Sequence, residues 1–188
     1  TNGIPIPDSK PYIVNMLDKD KITADVTKAK QLADMVIVLP HWGTEYVYTP
    51  DSNQNYWTQL FLSLGVDVVI GTHPHVLEPV EVVSDTKGHE MLVYYSLGNF
   101  VSNQDQKPRM IGGMAKMTLV KDETGCYVKN YNLTPVITQK LFGKKAITTY
   151  KLSDYTESLA SGNAIRNDSG CSDFSLSYCQ TLVKQILG

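Results

Sequence analysis

The chain has 188 residues, 42% of them hydrophobic, with 17 basic and 19 acidic side chains, enough for one domain with a substantial core. The charges are mixed along the chain with no run of one sign, so composition provides no electrostatic footprint for nucleic acid or an anionic membrane surface. No stretch reaches the roughly 18 apolar residues of a spanning helix, and the opening TNGIPIPDSKP has neither the charged nor the apolar region of a signal peptide, so a soluble stretch is expected.

From residue 21 to 33, Ile22, Val26, Ala29 and Ala33 recur at helical spacing with lysines and aspartates opposite, which predicts an amphipathic helix. MVIVL, residues 35–39, is a short apolar run rich in β-branched residues and reads as a strand buried on both faces, leading straight into PHWGTEY. Thr49-Pro50 supplies a capping hydroxyl and a first-turn proline, and Trp57, Leu60, Phe61 and Leu64 follow at helical spacing. A helix is therefore expected over 50–64, with Gly65 as its stop. VDVVI, residues 66–70, repeats the buried-strand pattern and ends in GTHPH. Strand, helix and strand with short joins predict a βαβ unit whose strands are parallel neighbours.

EPVEVVS, a turn at 85–88 and EMLVYYSLGNF then alternate more, as does GGMAKMTLVKDETGCYVKNYNLTPVIT around a turn at Thr124-Gly125, and both read as antiparallel strands. Two helices are expected at the end, one over 153–161 stopped by Gly162 and one over 174–187 with Leu176, Cys179, Val183, Ile186 and Leu187 on one face; SGNAIRNDSG between them reads as a polar loop. The cysteines, Cys126, Cys171 and Cys179, form no CxxC, which excludes a zinc ribbon or thioredoxin-like motif. On one helix Cys171 and Cys179 would stand about 12 Å apart, too far to bridge. A disulfide requires Cys171 on a loop that folds back, and burial as a small hydrophobe accounts for a free thiol equally well.

Both βα-type strands end in histidine, at His41 and at His73 with His75. Ligands collect beyond the carboxyl ends of parallel strands, so these three should share one edge. In an extended segment positions 73 and 75 point to the same side about 6.5 Å apart, within reach of one metal or two adjacent ones. Pro74 stiffens the link, and Gly71 allows close backbone approach. A third strand end, YYSLGNF, offers Gly98-Asn99, whose amide can bind substrate or hold a neighbour's hydrogen bond. A histidine at a strand end is more often an ordinary hydrogen-bonded side chain; three on adjacent ends leave the choice between a metal or phosphate site and ordinary histidines open. Trp42, Tyr46 and Tyr48 form an aromatic cluster better suited to packing than to ligand stacking. Glu45 can be a general base, a substrate contact or a solvated cap. Glu78 and Glu81 read as structural, His89 has no assigned role, and Arg109 is a candidate to meet an anion.

VIVLPHWGTEY, DVVIGTHPHVLEPVEV and YYSLGNFVSNQ, in this order and spacing, resemble the C-terminal half of the bacterial capsule-synthesis CapA family, associated with poly-γ-glutamate biosynthesis. TNGIPIPDSKPYIVN is similar to a stretch just upstream in members from Gram-positive bacteria; the resemblance is specific over 35–104 and weak beyond 125. It implies an α/β fold with α+β character, the C-terminal half of a metallophosphatase-like β-sandwich flanked by helices, with residues 1–150 in that incomplete domain and 151–188 a helical extension. It also implies that His41, His73 and His75 are metal ligands for one or two divalent transition metal ions (Mn, Fe or Zn). The residues themselves offer Asn99, Trp42 and Glu45 as candidate substrate contacts and Glu45 and Asn99 as candidate catalytic groups.

A two-metal centre lowers the pKa of a bound water and stabilises an in-line transition state. It needs a bridging carboxylate, which the family takes from an early Gly-Asp strand end and an Asn-Asn-His segment, neither of them within these 188 residues. A longer protein is thus expected to be a metal-dependent phosphoesterase-like hydrolase or transferase. Its substrate would be phosphorylated or glutamyl, the capsule polymer or its anchor, and phosphoester and amide chemistry both stay open. Its setting by the same resemblance is extracellular, at the cell surface, among other capsule-synthesis proteins and anchored in the membrane through an N-terminal segment. This stretch alone is expected to be inactive, with no complete metal centre, and self-association through truncated sheet edges is a third reading. The second reading is a non-catalytic capsule-assembly or polymer-binding protein on the same scaffold.

Overall fold

The computed structural model describes residues 5–141 and 146–188; the first four residues of the opening motif lie outside them. Helix α1, Lys19–Leu32, begins two residues before its expected start because the Asp18 carboxylate caps it, accepting from the Lys21 N–H. Helix α2, Ser52–Ser63, is started by Asp51 rather than by Thr49. Asp51 Oδ1 accepts from the Gln54 N–H at 2.8 Å, and Gln54 Oε1 accepts from the Asp51 N–H at 3.0 Å. This reciprocal pair satisfies two donors at once, which a lone threonine hydroxyl cannot do. Gly65, at φ 75°, takes the left-handed conformation that ends the helix.

Strands β1 (Ile37–Val38), β2 (Val68–Ile70), β3 (Val80–Ser84) and β4 (Glu90–Tyr94) form one sheet in the order β1-β2-β4-β3. The expected parallel pairing of β1 with β2 is present, and β2 is also parallel to β4. β3 returns antiparallel beside β4 through the turn at 85–88. The expectation that the 35–39 run is buried on both faces fails. β1 is an edge strand, with Ile37 37% and Leu39 73% exposed, and an apolar groove of about 860 Å³ runs between it, α1 and the stretch carrying Ile13, Val14 and Met16. Apolar composition alone cannot distinguish a central strand from an edge strand of a sheet.

Side-chain alternation then sets the layers. Met91 and Val93 of β4, with Tyr95 just after it, face the two helices and pack with Val26, Trp57, Phe61 and Val69. Leu92 and Tyr94 face the other way, against Ala115, Met117 and Leu133 of a second sheet. That sheet consists of β5 (Ile111–Asp122), β6 (Gly125–Leu141) and β7 (Ala146–Lys151), all antiparallel. β7 had no sequence signal of its own strong enough to be expected. Its outer side is covered by helices α3 (Glu157–Ser161) and α4 (Leu176–Leu187) around Ile137, Tyr155, Phe174 and Cys179. The result is a mixed α/β architecture with two sheets stacked between helices.

The stretch 161–170, expected to be a polar loop, contains a 3-10 helix, Ala164–Asn167, organised by a buried asparagine. Asn163 donates to Thr138 O and to the Tyr155 hydroxyl and accepts from the Ile165 N–H. Burying a polar side chain is tolerated when its hydrogen bonds are made. Cys171 and Cys179 are both free and fully buried, filling this core as small hydrophobes.

Packing leaves no room for a side chain at Gly71, just past β2. A Cβ there would stand 2.0 Å from Tyr95 O and 2.4 Å from Trp42 Nε1. Gly71→Ala is expected to lower stability by about 3 kcal/mol, through overpacking and the loss of the Trp42 hydrogen bond. Urea unfolding measures it, and an unchanged midpoint would contradict the contact.

Candidate functional site

Three strand ends meet beyond the carboxyl edge of the first sheet. Thr72 N–H donates to Pro40 O and Trp42 N–H to Thr72 O, both at 3.0 Å, which places His41 beside the end of β2. Gly71 N–H donates to Tyr94 O and Leu97 N–H to Gly71 O, so the end of β4 lies on the other side and brings Asn99 to the same rim. This is the crevice where parallel sheets gather ligands.

The histidines come together, but not as a same-side pair on an extended segment. His73 has φ 111° and His75 φ 62°. β2 runs parallel to β4, whereas Leu77 bridges antiparallel to Leu97. The chain must therefore reverse between Thr72 and Leu77, and the histidines occupy the reversal. Positive φ at non-glycine residues costs on the order of 1 kcal/mol or more each and tends to cluster where a site is built. The ring centroids are 4.6 Å apart for His41 and His73 and 6.2 Å for His73 and His75.

Burial, and then the neighbouring His73, hold the His41 imidazole below the usual histidine value. Burial does the same at His73, against the opposing pull of the Glu45 carboxylate. Both rings are therefore neutral at pH 7. His75 is held differently. Asn99 Nδ2 donates to His75 O at 3.2 Å and to Arg109 O at 3.0 Å, which fixes the amide with Oδ1 toward His75 Nδ1, 2.9 Å away. Nδ1 must then carry the proton, leaving the lone pair on Nε2. Glu45 Oε1 stands 3.9 Å from that nitrogen.

Of the other sequence candidates, Trp42 leaves the rim. It is 2% exposed, and its indole N–H donates to Tyr95 O at 2.9 Å across Gly71, so it braces the strand ends instead of facing a ligand. His89, without an assigned role, donates from Nε2 to Val66 O at 2.8 Å. Sequence reasoning missed two features. Tyr46, at φ 67°, stacks on His75 at 6.0 Å and carries the Arg109 guanidinium 3.6 Å above its ring. Glu78, read only as structural, is fully buried and accepts from Gln54 Nε2 at 2.6 Å, while its Oε1 has no partner. The Asp51-x-x-Gln54 spacing was the available signal for that link, because it places Gln54 at the cap beneath the 43–46 loop.

Among the described residues no three His, Cys, Asp or Glu side chains form a group able to hold a metal ion. Among them, too, no helix is long and apolar enough to cross a membrane.

With that geometry in place, the comparisons identify the chain's relatives. The profile of the family described as "Bacterial capsule synthesis protein PGA_cap" matches residues 2–104, more than half of the chain, and the chain belongs to that family. It is 36% identical to the PGA biosynthesis protein CapA of Bacillus subtilis (strain 168) over 111 residues, 59% of this chain and 27% of that protein. It is 35% identical to the capsule biosynthesis protein CapA of Bacillus anthracis over 92 residues, 47% of this chain and 21% of that protein. The alignments thus span about a quarter of the length of the curated relatives. The matched region contains His41, His73, His75 and Asn99, whereas Arg109 lies beyond it.

Burial raises the Glu78 carboxyl from 4.5 to about 7, with Asp51 adding to the rise and the Gln54 hydrogen bond opposing it. The folded state then holds a proton that the unfolded chain releases, so stability falls as pH rises from 4.5 to 7 and stays low above. Glu78→Gln keeps an acceptor for Gln54 without the charge. It should stabilise the protein at pH 8 by up to about 3 kcal/mol and converge with the parent near pH 4. Thermal unfolding across that range checks it, and a pH-independent difference would contradict it.

Proposed function

We propose that this chain is part of a metal-dependent, phosphoesterase-like hydrolase or transferase that acts on a capsule polymer or on its anchor. Family membership supports the setting. The observation that carries the chemistry is the rim, where His41, His73 and His75 converge from two strand ends with ring centroids 4.6 and 6.2 Å apart. Neutral imidazole is the form that ligates divalent metals, and His41 and His73 are held in it. A protonated Nδ1 fixed by a hydrogen bond is the usual arrangement behind a ligating Nε2, and Asn99 provides that for His75.

Because the described donors do not form a shell, the proposal takes the remaining ligands from the rest of a protein of the relatives' length. It places that protein at the cell surface, anchored in the membrane beside other capsule-synthesis proteins. The bound ions, Mn, Fe or Zn, would supply an activated water. Glu45, 3.9 Å from His75 Nε2, is positioned to take a proton from a water or substrate group at the rim. The incomplete donor set favours one second reading, a non-catalytic polymer-binding or capsule-assembly protein on the same scaffold. The free edge of β1 extends the proposal to self-association. Light scattering of this chain tests that extension, and a clean monomer counts against it.

The two main readings separate on metal. A protein of the relatives' length, grown in metal-replete medium, is expected to carry about one or two transition metal ions per chain. His73→Ala and His75→Ala should each lose metal and at least about a hundredfold in hydrolysis of polymer or phosphoester. Elemental analysis and turnover are the measurements, and a metal-free protein would sink the enzyme reading in favour of the binding one.

A further inference from the structure

We propose that Arg109, laid on Tyr46 beside His75, is a binding residue for an oxyanion of the substrate, a carboxylate or a phosphate. This rests on the reading that the rim meets an anionic capsule polymer or anchor, and it names the group that would hold one anionic unit in place. The guanidinium lies 3.6 Å from the centre of the Tyr46 ring, and Tyr46 in turn stacks on His75. The stack is anchored at both ends by backbone. Tyr46 N–H donates to Pro74 O at 2.8 Å, and the same Asn99 amide that orients His75 also holds Arg109 O. Arginine position and imidazole position are thus set by one side chain.

Arg109 is also only partly satisfied. Nη1 donates to Gln104 Oε1 at 3.1 Å and to Asp105 Oδ1 at 2.9 Å, which leaves the donors on Nε and Nη2 for a ligand. The Asp105 partner is 69% exposed, and an exposed pair of this kind contributes little, so an incoming anion can compete for the fork. A cleft of about 450 Å³ opens beside it, bordered by the hydrogen-bonding side chains of Ser102, Asn103 and Gln104 and by the exposed Asp105 carboxylate that an anion would displace from Arg109. A planar guanidinium stacked on an aromatic face is suited to bidentate recognition of carboxylate or phosphate. The three positive-φ non-glycine residues among those described, Tyr46, His73 and His75, all border this stack or its neighbour ring.

The test is calorimetric titration of this chain at low ionic strength with two probes, a γ-linked glutamate oligomer and inorganic phosphate. Arg109→Gln should weaken binding of the better probe at least about tenfold, and Arg109→Lys, which keeps charge but not the fork, by about threefold or more. Lys129→Gln, the same charge change at an exposed site on β6, should stay within about twofold, which separates a built site from net charge. Tighter oligomer binding assigns the polymer carboxylate, and tighter phosphate binding assigns a phosphoryl group. Neither probe binding the parent chain, or Arg109→Gln binding as the parent does, or Lys129→Gln losing as much, would overturn the assignment. If Arg109→Gln does not fold, unchanged affinity in Arg109→Lys overturns it equally. Arg109-dependent binding by a protein of the relatives' length that carries no metal and shows no turnover would sink the catalytic reading while leaving this site standing.

Discussion

The indole N–H of Trp42 reaches Tyr95 O across Gly71, and the ends of three strands depend on that contact. Trp42 follows His41 at the end of β1, Gly71 leads to His73 and His75 from β2, and Tyr95 closes β4 on the way to Asn99. A side chain at residue 71 would push these ends apart by the thickness of a methyl group. With glycine there, three backbones run close enough for the Pro40, Thr72, Tyr94 and Gly71 carbonyls all to be hydrogen-bonded. The rim is therefore rigid where it matters, and the histidines inherit their spacing from main chain, not from flexible side chains.

That rigidity is set against local strain. Between Thr72 and Leu77 the chain passes from a parallel to an antiparallel partner, and His73 and His75 adopt left-handed backbone to do so. Such residues persist only where surrounding structure over-determines them. Asn99 supplies three hydrogen bonds at this point, two from its amide nitrogen to carbonyls and one at its oxygen to His75. Below it, the buried Glu78 carboxyl leans on Gln54, which caps α2 together with Asp51, and Thr44 donates to the same aspartate. The loop carrying Glu45 and Tyr46 is thereby tied to the helix behind it. A half-satisfied carboxylate in the core is a destabilising element, and its location beneath the rim fits a region where stability has been given up for geometry.

Much of the scaffold was legible as pattern. The 2.0 and 3.6 residue periods identified both helices around the first sheet, the parallel β1–β2 pair and the β3–β4 and β5–β6 hairpins, because each is a local consequence of burying one face. Errors came where the deciding partner is distant. β1 reads as central because apolar residues look alike whether or not another strand lies beside them. β7 was missed because its support comes from β6 and the terminal helices. The start of α2 was displaced because two acceptable caps, Thr49 and Asp51, lie two residues apart, and only the reciprocal bond with Gln54 selects the second.

The amino-acid sequence by itself determined the layer class, the family and which residues stand at the strand ends, since those follow from short-range periodicity and from motifs contiguous in the chain. Tertiary structure alone decided what these residues do to one another. It sent Trp42 into the core, held His41 and His73 neutral by burial, set the His75 tautomer through Asn99, and laid Arg109 on Tyr46. Each of these depends on desolvation or on a hydrogen bond between positions at least ten residues apart, and such couplings have no period that a linear pattern can carry.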